Sequence, residues 1–229
     1  MNAIINSPLF GIFLTLVAFE TGVFISKKFK YSFLNPLLIG NILIVGFLLI
    51  TGISLESYNV GGDYISVMLS PATVVLAVPL YRQISKLRQF WKPILAGIFA
   101  GSLTSIACVI LFSKLLGLSN TLMLSLLPKS VTIPMGSVIS SQIGGIPSVT
   151  IIAITVTGIT GAVAAPAVCK FCHIKHKVAQ GVAIGTASHA IGTSKAIEIG
   201  EVEGAISSLS IVVAGIMTVL LSAVFAGLY

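Results

Sequence analysis

The fold class predicted by this sequence is an all-α polytopic membrane protein with about seven or eight membrane segments, some of them interrupted or re-entrant. Three observations predict it. The chain of 229 residues is 56% hydrophobic and only 8% charged, with a mean hydropathy of +1.09, whereas a soluble domain carries about 25% charged residues. Apolar runs of about 20 residues, the length that crosses a bilayer, recur along it. The charges fall in short stretches between those runs. The whole chain, 1–229, reads as one integral membrane domain.

The elements follow in order. The opening MNAIINSPLFGIFLTLVAFETGVF has no basic n-region and no small-residue cleavage site before its cationic flank, so it reads as a first membrane helix, not a signal peptide. Uninterrupted spans are expected at 7–26, 34–53, 89–113, 147–169 and 204–228. Three further segments, 63–84, 118–141 and 178–199, are apolar but broken by Pro, Gly or polar residues. Backbone in lipid must satisfy its own hydrogen bonds, so broken helices belong in the protein interior or beside a water-filled cavity.

Charge sets the orientation. Basic stretches stand at Lys27/Lys28/Lys30, Arg82/Lys86/Arg88/Lys92 and Lys170/Lys175/Lys177. Lys and Arg flanking a span mark the cytoplasmic side, which puts the N-terminus outside. The net charge of +7 is then a matter of loop topology and implies no nucleic acid. If all eight segments crossed once, the basic residues 170–177 would lie outside. The expected remedy is that 118–146 turns back, because Pro128 and Pro134 interrupt it, leaving about seven crossings.

The two halves, about 1–115 and 116–229, carry a resemblance of their own. A shift of roughly 115 residues lays 68–80 over 183–195 and inverts the flanking charges, the pattern of an inverted repeat. In that alignment Glu198, Glu201 and Glu203 form an acidic loop on the external side.

The polar chemistry gathers in the interrupted segments. Read as one continuous helix, 181–199 places Thr186, His189 and Thr193 within a face of about 60°. Beside it runs a stripe of small residues, Gly181, Gly185, Ser188 and Gly192, that lets another backbone approach. Lys195 stands at its end. In LLPKSVTIPMG, 126–136, Lys129 lies with Ser130 and Thr132 between Pro128 and Pro134. A lysine there needs a carboxylate, a carbonyl or water; an anionic ligand or Glu20 is the economical partner, and snorkelling to the interface is the alternative. Pro71 and Pro79 bracket Thr73 and suggest a second break. The substrate-binding candidates are thus Lys129, Ser130, Thr132, Thr73, His189, Thr193 and Lys195. The helix-breaking candidates are Pro71, Pro79, Pro128, Pro134, Gly185 and Gly192. Small residues packing helices, with His189 bonded to a neighbour, is the plainer reading of the same pattern.

CKFCH, 169–173, matches a haem-attachment spacing, but its basic flank puts it on the wrong side for that chemistry. Cys108 reads as a small apolar filler. The sequence contains no recognisable nucleophile–base–acid triad, P-loop or pair of internal carboxylates, so no enzyme activity, metal or cofactor is expected.

NPLLIGN, LSPATVVLAVPLYRQ, LLPKSVTIPMG, GGIPSVT and GTASHAIGTSKA followed by GEVEGAISSLSI resemble the LrgB family, also called CidB/LrgB or antiholin-like, from about Asn35 to Phe225. The resemblance implies a multi-pass protein of the bacterial cytoplasmic membrane with a smaller LrgA/CidA-like membrane partner. It carries over Pro71, Thr73, Pro79, Lys129, Ser130, Thr132, Pro134, His189, Thr193, Lys195 and Glu198. It also implies two functions. One is transport of small carboxylates of the pyruvate or glycolate kind, since a plant plastidial relative exchanges glycolate and glycerate. The other is holin/antiholin-like control of murein hydrolases and autolysis. The expected partners are the bilayer, the LrgA/CidA-like protein, a small anionic substrate, and further copies in a homo- or hetero-oligomer.

Overall fold

The computed structural model describes residues 5–29, 36–68, 71, 74–75, 77–82 and 84–227, and every regular element among them is helical. The chain divides into two compact units, Met1–Val75 and Leu76–Tyr229.

The N-terminal unit contains α1 (Pro8–Phe29), α2 (Pro36–Thr51) and α3 (Leu55–Val67). Small residues let α1 pack closely on α3: Gly11 faces the backbone of Tyr58 and Gly61, and Thr15 Oγ1 meets Tyr58 Oη at 2.7 Å. The acidic residues Glu56 and Asp63 lie within α3, which Ser54 caps by accepting from the Ser57 N–H at 3.2 Å.

The second unit contains α4 (Ala77–Arg82), α5 (Ile84–Leu115), α6 (Asn120–Leu126), α7 (Ile133–Gln142), α8 (Pro147–Phe171), α9 (Lys177–Ile199) and α10 (Glu201–Ala226). Pro8–Phe29, Arg88–Leu115, Pro147–Phe171 and Glu201–Ala226 are long and apolar enough to cross a membrane, and Pro36–Thr51 is a shorter apolar helix. The expected uninterrupted spans thus appear as helices. Large apolar side chains such as Phe112, Ile152, Val156, Val212, Ile216 and Leu220 point outward, an arrangement that suits lipid and not water. Hydroxyls survive on these helices by donating to the carbonyl one turn back, as Thr155 does to Ile151 and Ser210 to Ile206. Phe90 bends α5 out of helical geometry (φ −112°, ψ 19°) three residues before Pro93, whose ring and missing N–H account for the kink.

Two segments turn back on themselves. The first is α6 and α7, joined by 127–132. Thr150 of α8 binds both legs: its hydroxyl donates to Ser125 O at 2.7 Å and shares a 2.7 Å bond with Ser140 Oγ. The Ile146 N–H donates to Ser125 Oγ at 2.7 Å, so the chain leaves this hairpin beside its starting leg. The expected turn within 118–146 is therefore present. Pro128 is fully buried at the tip, and Pro134 opens α7 where its missing N–H costs nothing.

The second is α9. His189 has φ 42° and ψ −137°, a conformation that L residues rarely adopt. Here the helix reverses. Gly192 packs against Ser188 and Ile184 of the preceding leg, with a Cβ placed on it only 3.3 Å from Ile184 O. Residues eight apart touch this way only if the chain folds back, since an unbroken helix would separate them by about 12 Å. Ile199 accordingly shares a cavity with Lys170, His173 and Gln180, so both legs end together.

This second reversal corrects two expectations. Glu198, Glu201 and Glu203 are at the same end as the basic residues 170–177, not opposite them. The 82–92 stretch is there too, because Phe90 stacks edge-on with His176 at 5.3 Å between centroids. Thr186, His189 and Thr193 share no helix face, because the break at His189 separates them. Much of the 68–80 segment expected to pair with 183–195 lies outside the described residues.

Candidate functional site

The two hairpins approach one another along α5. Gly97 and Gly101 bring the first leg of α9 close: a Cβ at Gly97 would lie 3.2 Å from Val182 Cγ1, and one at Gly101 2.9 Å from Thr186 Cγ2. One turn further along α5 stands Ser105, which meets the tip of the other hairpin. Lys129 Nζ donates to Ser105 Oγ at 3.2 Å and to Ser130 Oγ at 3.1 Å. The two hydroxyls are themselves 3.1 Å apart. The Lys129 ammonium and the Thr186 hydroxyl, from opposed hairpins, therefore sit about one helical turn apart along α5.

Both residues line an open cavity of about 1270 Å³ bordered by α5, α8, the first leg of α9 and the tip of the first hairpin. Its polar lining comes from Thr104, Ser105, Lys129, Ser130, Thr157, Thr160, Thr186 and Ser188, with His176 at the basic end. Apolar side chains and Cys108 complete the wall. Among the described residues no carboxylate pairs with Lys129; Glu198 pairs with Lys195, at 2.7 Å. Thr186 is buried and its hydroxyl has no partner. The Lys129 ammonium, held by Ser105 and Ser130, thus borders the cavity as a cation that can receive an oxyanion through charge-assisted hydrogen bonds, while the Thr186 hydroxyl is packed within the wall.

The other named residues hold the frame. The His189 ring donates from Nε2 to Ile154 O at 3.0 Å, and it is buried to 2% exposure against Gly158. Thr193 donates to His189 O at 2.9 Å and meets Ser207 Oγ at 2.6 Å, tying the returning leg to α10. Gly185 packs on Ser207 and Ser210 of α10, and Gly192 on the hairpin's own first leg. The expected small-residue stripe therefore serves two contacts. Thr132 precedes α7 without a side-chain cap bond. Lys195 is partly exposed and pairs with Glu198. Glu20 lies exposed on α1 of the N-terminal unit, as does Pro71 near that unit's end. Pro79 falls within α4, its side chain outside the description, and Thr73 lies outside the described residues.

The structure brings together Lys129 and Ser130 from the expected set. It adds Ser105, Thr157, Thr160, Thr186 and Ser188 to the lining. A signal for Ser105 exists in the spacing: Gly97, Gly101 and Ser105 recur every four residues, one face of a helix.

The family model described as LrgB-like family matches residues 15–228. Proteins named "Antiholin-like protein LrgB" from Bacillus mycoides (strain KBAB4), Bacillus cereus (strain B4264) and Bacillus anthracis (strain CDC 684 / NRRL 3495) are each 38% identical over 220 residues, covering 96% of this chain and 96% of the relative. No solved structure matches the chain. With a family match over nearly its whole length and relatives at this identity, the chain belongs to the LrgB-like family.

Proposed function

We propose that this protein carries small carboxylates of the pyruvate or glycolate kind across the bacterial cytoplasmic membrane, binding them between the two hairpins. The single observation behind this reading is Lys129: a cation at a hairpin tip, beside a cavity, with no carboxylate partner among the described residues. A charge at membrane depth is costly and marks substrate pathways; an anionic ligand would neutralise it. The cavity exceeds the about 300–1,000 Å³ of a drug-sized ligand site. A three-carbon acid would occupy only the part beside Lys129, Ser105 and Ser130, with water in the remainder.

In this reading α5 with the first hairpin and α8 with the second are inverted equivalents, each a crossing helix followed by a turned-back pair. Alternating access is rocking of one pair against the other about the site. The basic end faces the cytoplasm and the N-terminus is outside. Both units form one integral domain, which works beside an LrgA/CidA-like membrane partner in a homo- or hetero-oligomer.

A second reading is favoured by the relatives' name: a holin/antiholin-like regulator of murein hydrolase export or activity. Such a role rests on assembly and membrane permeability and needs no ordered cation site. Purified protein, alone and with its partner, in liposomes under imposed gradients separates the two. The transport reading expects saturable uptake of labelled pyruvate or glycolate, abolished by Lys129→Ala. Dye leakage without saturation by any carboxylate would reject it in favour of the regulator.

A further inference from the structure

A second cavity, about 660 Å³, lies at the basic end, apart from the one that holds Lys129. Lys170, His173 and Lys175 line it together with Gln180, Ile199 and Pro166. The way α8 ends produces this convergence. His173 takes φ 54°, and the chain wraps so that the Ile174 N–H donates to Cys169 O at 2.8 Å and the His173 N–H to Lys170 O at 3.2 Å. This left-handed cap closes the helix and turns Lys175 back toward the cavity that Lys170 borders. Gln180 Nε2 donates to Ile174 O at 2.7 Å, fastening the loop to the first leg of α9. Ile199 brings in the end of the second leg.

No acidic side chain lines this cavity, and among the described residues no carboxylate pairs with Lys170 or Lys175. Phe171 and Val168, beside it on α8, are 84% and 50% exposed. The cavity therefore sits where an apolar lipid-facing helix gives way to a basic loop, the level of the phosphates in a bilayer.

We propose that this cavity is a binding site for a phosphate group, drawn from an anionic phospholipid headgroup, with Lys170 and Lys175 as its charged contacts and Gln180 and His173 as further hydrogen-bonding contacts. The occupant would touch both legs of the α9 hairpin at their base and so bear on whether that hairpin can shift. The site stands independently of the carboxylate reading, since nothing in it involves Lys129.

The test uses full-length protein in detergent micelles, exchanged against phosphatidylglycerol or phosphatidylcholine and examined by native mass spectrometry. Inorganic phosphate in lipid-free detergent forms a second arm, read by thermal stability. Wild type is expected to retain phosphatidylglycerol over phosphatidylcholine. Lys170→Ala/Lys175→Ala should bind it about thirtyfold more weakly, from about a fivefold loss per lysine. Both lysines are exposed, and unliganded thermal stability equal to wild type verifies the fold. Lys27→Ala/Lys28→Ala removes the same charge elsewhere and should leave retention unchanged. Stabilisation by inorganic phosphate that the Lys170/Lys175 variant loses would support the site with a soluble source. Equal loss in the two double variants, or no preference for either phosphate source, overturns the proposal.

Discussion

Replacing Gly158 with alanine tests the fold-back at His189 most directly. A methyl carbon there would stand 2.6 Å from His189 Cε1, 2.8 Å from Nε2 and 2.8 Å from Ile191 Cδ1, against a comfortable carbon contact of about 3.5–4.0 Å. Ile191 can swing its terminal methyl away. The imidazole cannot, because it is buried and tied to Ile154 O at 3.0 Å. The ring must move by about 1 Å to restore van der Waals contact, and that breaks its bond. Overpacking costs about 1–3 kcal/mol. The lost bond adds about 0.6–1.7 kcal/mol in a membrane setting. Alanine's helix preference returns about 0.5–1 kcal/mol. The net loss is about 2–3 kcal/mol, or roughly 5–10 °C in Tm for a chain of this size. Thermal unfolding in detergent, followed by tryptophan fluorescence or by aggregation, reads it. Gly46→Ala is the control: a Cβ at Gly46 meets nothing within 4 Å, so stability should hold or rise slightly. A Gly158→Ala protein as stable as wild type would refute the placement of the ring against α8, and with it the reversal.

Two other predictions concern the same turn. His189→Gly relieves a conformation costing about 1–3 kcal/mol while losing the ring's hydrogen bond, whereas His189→Ala loses the bond and keeps the strain; the stability order should be wild type near His189→Gly, with His189→Ala lowest by thermal unfolding. In a background without Cys108, Cys169 and Cys172, single cysteines at 175 and 201 should react with a membrane-impermeant thiol reagent from one side, and cysteines at 118 and 142 from the other. Labelling of 175 and 201 from opposite sides would mean that α9 crosses.

The crossing helices were legible because their signal is length and apolarity, which tertiary contacts do not alter. The first hairpin was legible because Pro128 and Pro134 interrupt helical hydrogen bonding in any surroundings. The interruption of 178–199 was legible too, but its reversal and its place were not, since the break falls at Ser-His-Ala, which contains neither Pro nor Gly. Gly185 and Gly192 flank that point without marking it. The reversal is selected by partners distant in sequence: Gly158 and Gly161 make room on α8, and Ile154 supplies the carbonyl. Ser105 escaped notice for a related reason. A serine in an apolar helix ordinarily bonds back to its own carbonyls, and only the arrival of Lys129 gives it another role. Lys129 itself could be singled out from its prolines, though its neighbours could not.

The turned-back form of α9 has a consequence for how the protein is made. Its sequence, KVAQGVAIGTASHAIGTSKAIEI, carries charges and hydroxyls that disfavour its partition into lipid as a free helix. Its glycines find their complement in α10, where Gly181 meets Glu203 and Ile206, and Gly185 meets Ser207 and Ser210. The α5 and α8 surfaces that meet this segment at Gly97, Gly101, Gly158 and Gly161 precede it in the chain, whereas the α10 surface follows it. As the chain leaves the ribosome, the Gly181–Gly185 face of α9 stays without its complement until α10 has been made. A truncation within α10 would strand two elements, not one.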